Sequence, residues 1–257
     1  MFDFVLSIAL SGFALGAFLL GQGYSLRVKV NLPPYGRVNW RDISVILGGL
    51  ALFPVALLAI PQIFVVAWIA LGFFSSLAYL FRPMVKRLPI AASVSAATVA
   101  SQFLFRQIWI NDLITMLGVC FVAVYSVQGG ITAREAAFLG LGYSVYDVLA
   151  IAFLQPLFSR SLVAAPLIPV IIVWYLGRGF LLGGADLLLL VLFALVLTKT
   201  LGWKESLAFV LLGVVVIFVL SGMAFTALPL APFIVVIFLA VREAGRNRPA
   251  NGVRNGV

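Results

Sequence analysis

Apolar runs close to 20 residues long recur along this 257-residue chain and restrict its possible folds more than any other feature. A helix of that length matches the roughly 30 Å hydrocarbon thickness of a bilayer. Backbone groups in lipid must pair within helices or a closed barrel, and these runs are too long for barrel strands. Only 10% of the residues are charged, against about 25% in soluble domains. We therefore predict an all-α polytopic membrane protein.

Breaks between the apolar runs predict nine transmembrane helices. They cover about 4–22, 43–60, 62–81, 89–107, 110–128, 134–155, 180–199, 205–225 and 228–241. We predict a single nine-helix domain over 1–241, with helices one to six in 1–155, a connecting loop at 156–179 and helices seven to nine in 180–241. The basic tail, 242–257, is expected to be disordered near anionic lipid head groups.

The connecting loop contains an apolar stretch, 162–176, that carries two prolines and is too short to cross the membrane comfortably. Its core, 170–175, reads Val-Ile-Ile-Val-Trp-Tyr, and this β-branched and aromatic composition predicts a short extended segment between helices six and seven. We expect the strand to pair with a hairpin partner or with an incoming peptide, because its backbone groups would otherwise be unpaired.

The net charge of +9 comes from 17 Lys and Arg residues that lie between the apolar runs instead of forming one patch. We therefore expect no nucleic-acid partner. If the N-terminus is outside the cell, 14 of the 17 face the cytoplasm, and Arg106, Arg160 and Arg178 lie outside. Because basic loops favour the cytoplasm, this bias predicts a multi-pass protein of the cell membrane with an outside N-terminus and a cytoplasmic C-terminus.

The absence of histidine limits the chemistry available to the chain. Histidine is the commonest general base and metal ligand, so its absence excludes most zinc-dependent membrane proteases. Acid–base chemistry must come from Asp, Glu, Lys, Tyr or water, and we expect no metal and no cofactor.

Two of the eight acidic residues, Asp147 and Asp186, lie inside predicted membrane helices, whereas the others have simpler explanations near helix ends or basic residues. A carboxylate at that depth costs roughly 2.5 to 3.5 kcal/mol on insertion scales and is expected to be functional. Asp147 precedes the 156–179 connection and Asp186 follows it, each roughly 10 Å below the same membrane face at 1.5 Å per residue. The two side chains can therefore meet.

Two carboxylates within hydrogen-bond range at low dielectric cannot both ionise, so they share a proton and titrate as a pair. One aspartate can then activate a water molecule while the other donates to the carbonyl oxygen of a scissile amide. This is the chemistry of an aspartic protease.

The residues around the two aspartates resemble the motifs of presenilins and signal peptide peptidases. Residues 144–150 read Ser-Val-Tyr-Asp-Val-Leu-Ala and resemble the family's Tyr-Asp segment. Residues 183–186 read Gly-Gly-Ala-Asp and are similar to its Gly-x-Gly-Asp motif, and residues 229–231 read Pro-Leu-Ala and resemble its Pro-Ala-Leu motif. The three occur in the family's order, on the sixth, seventh and ninth predicted helices.

The resemblance implies a presenilin-like fold and an intramembrane aspartyl protease of the Gly-x-Gly-Asp type. Matched position by position, the resemblance implies that Asp147 and Asp186 are catalytic. It also implies that Tyr146 forms a wall of the active site and that Gly184 lies beside the cleft. The substrate site would be shaped by Pro229, Leu230 and Ala231. Two departures affect local shape: Ala185 replaces the motif's second glycine, and the last motif has Leu and Ala exchanged.

The predicted orientation is the one associated with signal peptide peptidases, whereas presenilins are inverted. By that analogy the partners are the lipid bilayer and transmembrane helical proteins or peptides as substrates, with type II orientation. The short connecting loop implies a compact prokaryotic, archaeal-type homologue that needs no obligate partner subunits.

Three other functions stay open at this point. A proton- or cation-coupled transporter could use the same buried Asp pair, and related half-chains, which we do not find, would indicate it. A prepilin-type peptidase also has a Gly-rich Asp motif, but its cytoplasmic active site fits the predicted topology poorly. A non-enzymatic scaffold would leave two costly buried carboxylates unexplained.

Overall fold

The computed structural model describes residues 4–29, 39–149, 170–175, 178–222 and 230–247. These residues form nine helices and one hairpin. The helices are α1 (Phe4–Arg27), α2 (Trp40–Ala59), α3 (Gln62–Val85), α4 (Leu88–Phe105), α5 (Ile108–Gln128), α6 (Ala133–Leu149), α7 (Gly184–Thr200), α8 (Trp203–Gly222) and α9 (Ala231–Arg246). The strands are β1 (Val170–Tyr175) and β2 (Arg178–Gly183).

Each helix in the described part of the chain falls on one predicted span, and five of them are long and apolar enough to cross a bilayer. These five are α1, α3, α4, α5 and α8. The prediction of an all-α polytopic membrane protein is confirmed.

The extended segment between helices six and seven is confirmed at β1, which has the predicted bounds. Its hairpin partner is β2, paired antiparallel from Tyr175 opposite Arg178 to Val170 opposite Gly183. The start predicted for helix seven, residue 180, is therefore wrong, because 180–183 belong to β2 and α7 begins at Gly184. Most of the 156–179 connection, Pro229 and residues 248–257 lie outside the described residues. The predicted start of the tail, residue 242, is wrong, because α9 continues to Arg246.

Helix α7 is the centre of the bundle. From Leu189 to Leu197 every residue is buried, and the helix contacts α1, α5, α6, α8 and α9. Glycines on neighbouring helices allow this close approach: a Cβ at Gly213 of α8 would lie 2.6 Å from Leu190, and one at Gly21 of α1 would lie 2.8 Å from Val191. Small residues at such contacts are a common means of packing helices in lipid.

Helix α6 begins with a capping box. The Glu135 carboxylate accepts hydrogen bonds from the Thr132 backbone N–H at 2.8 Å and from its hydroxyl at 2.6 Å. The Glu135 N–H donates in return to Thr132 Oγ1 at 3.3 Å. These contacts fix the start of the helix that carries Asp147 near its other end.

Candidate functional site

Asp147 lies in the last turn of α6, with only 9% of its surface exposed. Its Oδ2 accepts a hydrogen bond from the backbone N–H of Ala231, at 3.4 Å. The bond joins residues 84 positions apart, so it ties the end of α6 to the start of α9.

Asp186 is the third residue of α7 and is 6% exposed. Its carboxyl interacts electrostatically with Asp147 and also with the Ala231 amide. Its Oδ1 is buried and has no hydrogen-bond partner within the described residues. The structure therefore brings together the two aspartates that the sequence singled out, with one backbone amide between them.

Ala231 is the first residue of α9 and is fully buried, and Pro232 follows it. The first N–H groups of a helix have no intrahelical partner and carry the positive end of its dipole. Asp186 also lies in the first turn of its own helix, α7. Two helix N-termini therefore face the carboxyl pair and favour negative charge there.

Close packing near the carboxyls fixes α6, α7 and α9 relative to one another. A Cβ at Gly140 of α6 would lie 2.5 Å from Phe193 of α7 and 2.8 Å from Val235 of α9. Phe193 also stacks on Phe238 of α9, with ring centroids 4.1 Å apart. Because α6, α7 and α9 interlock at these positions, the geometry of the site depends on few flexible groups.

The other predicted site residues lie around this point as far as the structure describes them. Tyr146 is half-buried beside Asp147 and interacts electrostatically with the Asp147 carboxyl. Gly184 is buried at the first position of α7, and Leu230 is half-buried immediately before α9. Pro229 is not among the described residues.

Two further residues lie beside the carboxyls: Gly183 was noted from the sequence only as part of the 183–186 motif, and Tyr143 was not identified. Gly183 caps α7, and a Cβ built there would lie 2.6 Å from Asp186 Oδ2. Tyr143 lies one helical turn before Asp147 and interacts with both carboxyls. The i, i+4 spacing to Asp147 was a signal for Tyr143, and the position three before Asp186 was a signal for Gly183.

The described part of the chain contains no group of three or more His, Cys, Asp or Glu side chains that could hold a metal ion.

Comparison with known proteins gives a match at the level of the fold. No model of a known protein family matches the sequence, and a search of curated proteins also finds no match. Among solved structures, the chain is similar to one described as a presenilin family intramembrane aspartate protease, with a TM-score of 0.59 and 15% sequence identity. The match covers 93% of this chain and 98% of that one. The chain therefore shares the fold of that protein over nearly its whole length.

Proposed function

We propose that this chain is an intramembrane aspartyl protease that hydrolyses peptide bonds within transmembrane segments of membrane proteins or signal peptides. The observation that carries the proposal is the meeting of Asp147 and Asp186 at the Ala231 amide, among helices that lipid surrounds. Similarity of fold to a protein described as an intramembrane aspartate protease supports it.

In the proposed reaction the pair carries a single negative charge. The ionised carboxyl takes a proton from water, which attacks the scissile carbonyl carbon, and the protonated carboxyl donates to the carbonyl oxygen. The first carboxyl then gives its proton to the amide nitrogen as the C–N bond breaks, and the second recovers its proton as the new carboxyl group forms. The N-termini of α7 and α9 stabilise the remaining charge, because each is the positive end of a helix dipole and the Ala231 N–H donates to Asp147. Neither aspartate can perform both roles at once, so both are required.

A helical substrate must unwind before it is cut, because its carbonyl groups are hydrogen-bonded and shielded. We propose that the β1–β2 hairpin accepts the unwound segment by β-augmentation. Strand β1 contacts α1 and α5 and pairs with β2, whereas β2 contacts β1 and the start of α7. The outer edge of β2 is therefore the better place for an added strand. It ends at Gly183, three residues before Asp186, so an added strand runs past the carboxyl pair.

The remaining roles are those that the resemblance to the family's motifs implies. In this proposal Tyr146 forms an active-site wall, Gly184 belongs to the cleft, and Pro229, Leu230 and Ala231 shape the substrate site. Substrates are transmembrane helices of type II orientation, with the N-terminus of the protease outside and its C-terminus in the cytoplasm. We expect the chain to act without obligate partner subunits.

The test is cleavage of a labelled transmembrane peptide by the purified full-length chain in lipid vesicles. The variants are Asp147→Asn and Asp186→Asn, which keep side-chain size and remove the ionisable group. Asp42→Asn is the matched control, because Asp42 is an exposed carboxylate that accepts a hydrogen bond from Asn39 N–H at 2.9 Å at the start of α2.

We expect each dyad variant to lose at least about a thousandfold in rate, as when one member of a catalytic unit is removed. The Asp42 control should cut at the parent's rate. Cleavage by both dyad variants at the parent's rate would refute the protease function.

A further inference from the structure

Tyr143 occupies the same face of α6 as Asp147, one turn earlier. Residues four apart on a helix are neighbours on its surface. Helical side chains lean toward the helix N-terminus, so the Asp147 carboxyl lies over the turn that contains Tyr143. The tyrosine is half-buried and packs against the hydrophobic core.

The tyrosine ring is held beside the site by its neighbours. Its centroid lies 5.8 Å from that of Tyr146, and the two rings are tilted by 40°. It interacts electrostatically with Asp186, on the facing helix α7, and with Asp147 on its own helix. Tyr143 therefore lies near both carboxyls, one turn before Asp147.

Among the residues that the structure describes, an acceptor and a donor near the dyad both lack hydrogen-bond partners. Asp186 Oδ1 is buried without a hydrogen bond, and the Tyr143 hydroxyl also makes none to any residue that the structure describes. Buried polar atoms are nearly always hydrogen-bonded in folded proteins. Catalytic hydrogen bonds are often long in the substrate-free state and shorten when substrate binds.

We propose that Tyr143 is a positioning residue of the dyad, and that its hydroxyl donates a hydrogen bond to the Asp186 carboxyl, directly or through one bridging water molecule. The bond holds that carboxyl toward Asp147 and stabilises it without taking part in proton transfer. Its contribution to cleavage rests on the proposed protease function, whereas the hydrogen bond itself does not.

The experiment compares Tyr143→Phe with the parent, and Tyr79→Phe is the matched control. Both substitutions remove one hydroxyl and keep the ring, so folding is preserved, and the midpoint of thermal unfolding checks this. Tyr79 lies on α3, where it is 43% exposed and its ring stacks on Phe121. The full-length chain is used in lipid vesicles throughout.

The first readout is the infrared carbonyl stretch of the protonated dyad carboxyl, assigned by its change in Asp186→Asn. Loss of a donor strengthens the C=O bond, so the band should move to higher wavenumber in Tyr143→Phe and stay in place in Tyr79→Phe. A band that does not move in Tyr143→Phe overturns the hydrogen bond, and with it the positioning role, whether or not the protein cleaves.

The second readout is cleavage of the labelled transmembrane peptide. Tyr143→Phe should lower kcat about tenfold and change KM by less than about twofold, as for the loss of one net hydrogen bond of about 1 kcal/mol. An unchanged kcat, or a loss confined to KM, contradicts the positioning role. If the band moves but the parent itself does not cleave, the protease function fails and the hydrogen bond stands.

Discussion

Gly183 shows at the residue scale how the chain makes room for its second carboxyl. The carboxyl of Asp186, the third residue of α7, reaches back to the residue that caps this helix. The backbone φ of Gly183 is −58°, which any residue can adopt, so conformational freedom does not explain the glycine. The explanation is space, since a Cβ there would lie 2.6 Å from Asp186 Oδ2.

Gly183→Ala should therefore impair catalysis more than folding. The added methyl group displaces the end of the Asp186 side chain, and a displacement near 1 Å can cost about a hundredfold in rate. We expect kcat to fall about ten- to a hundredfold, measured on the transmembrane peptide, with little change in the unfolding midpoint.

Gly12→Ala is the control for this substitution, because a Cβ at Gly12 meets nothing within 4 Å. It should leave kcat within about twofold of the parent. A Gly183→Ala variant as active as this control would show that the carboxyl does not depend on that space.

The two carboxyls were predictable as residues, because a charged group within an apolar run is conspicuous in sequence. Their common contact, the Ala231 amide, was not. Ala231 was predicted to shape the substrate site, but a backbone N–H leaves no trace in the sequence. Which helix N-terminus meets which carboxyl depends on tertiary packing.

At the scale of elements, β2 shows where apolar patterning fails. Residues 180–182 read Phe-Leu-Leu and continue into the apolar helix that follows, so periodicity alone assigns them to that helix. Pairing with β1 makes them a strand instead. The strand at 170–175 was predictable because its composition is β-branched and aromatic and differs from its surroundings.

The register identifies which β2 amides face away from β1. Two residues separate Tyr175 from its partner Arg178, and the closing pair of such a hairpin exchanges both hydrogen bonds. Hydrogen-bonded and non-hydrogen-bonded pairs alternate along an antiparallel hairpin, so the pair that contains Leu181 is not hydrogen-bonded. The N–H of Leu181 therefore points away from β1, to the outer edge of β2. Proline at 181 removes this outward donor and keeps the ladder with β1.

Leu181→Pro should therefore reduce cleavage much more than Leu181→Ala, which keeps the N–H group. If a substrate strand pairs with β2, we expect at least a fivefold difference in kcat/KM, because one net hydrogen bond contributes about 1 kcal/mol. Equal values for the two variants would exclude this edge as the docking strand.

At the scale of the whole molecule, the helices in the described part of the chain could be predicted but their arrangement could not. Nearly every helix is apolar because lipid or protein surrounds it, so hydropathy does not distinguish the central α7 from lipid-facing helices such as α3. Burial makes that distinction: the apolar window of α3 is 17% buried, whereas α7 is buried almost throughout. Contacts between residues far apart in sequence determine which helix lies at the centre of the bundle.

Orientation in the membrane also belongs to this scale. With the native cysteine removed by Cys120→Ala, a cysteine at Arg87 should react with a membrane-impermeant maleimide only from the cytoplasmic side. A cysteine at Gln107, at the other end of α4, should react only from outside. Labelling of intact cells and inverted vesicles measures both, and the reverse pattern would contradict the positive-inside assignment.

The central claim is that Asp147 and Asp186 act as one catalytic unit. The most direct test is the cleavage rate of Asp147→Asn, Asp186→Asn and the double variant, measured over long incubations with enzyme in excess over a labelled transmembrane peptide. Members of one unit give strongly non-additive losses, so the double variant should be no slower, within about threefold, than the slower single variant. Modest losses in each single variant that multiply in the double variant would contradict the claim.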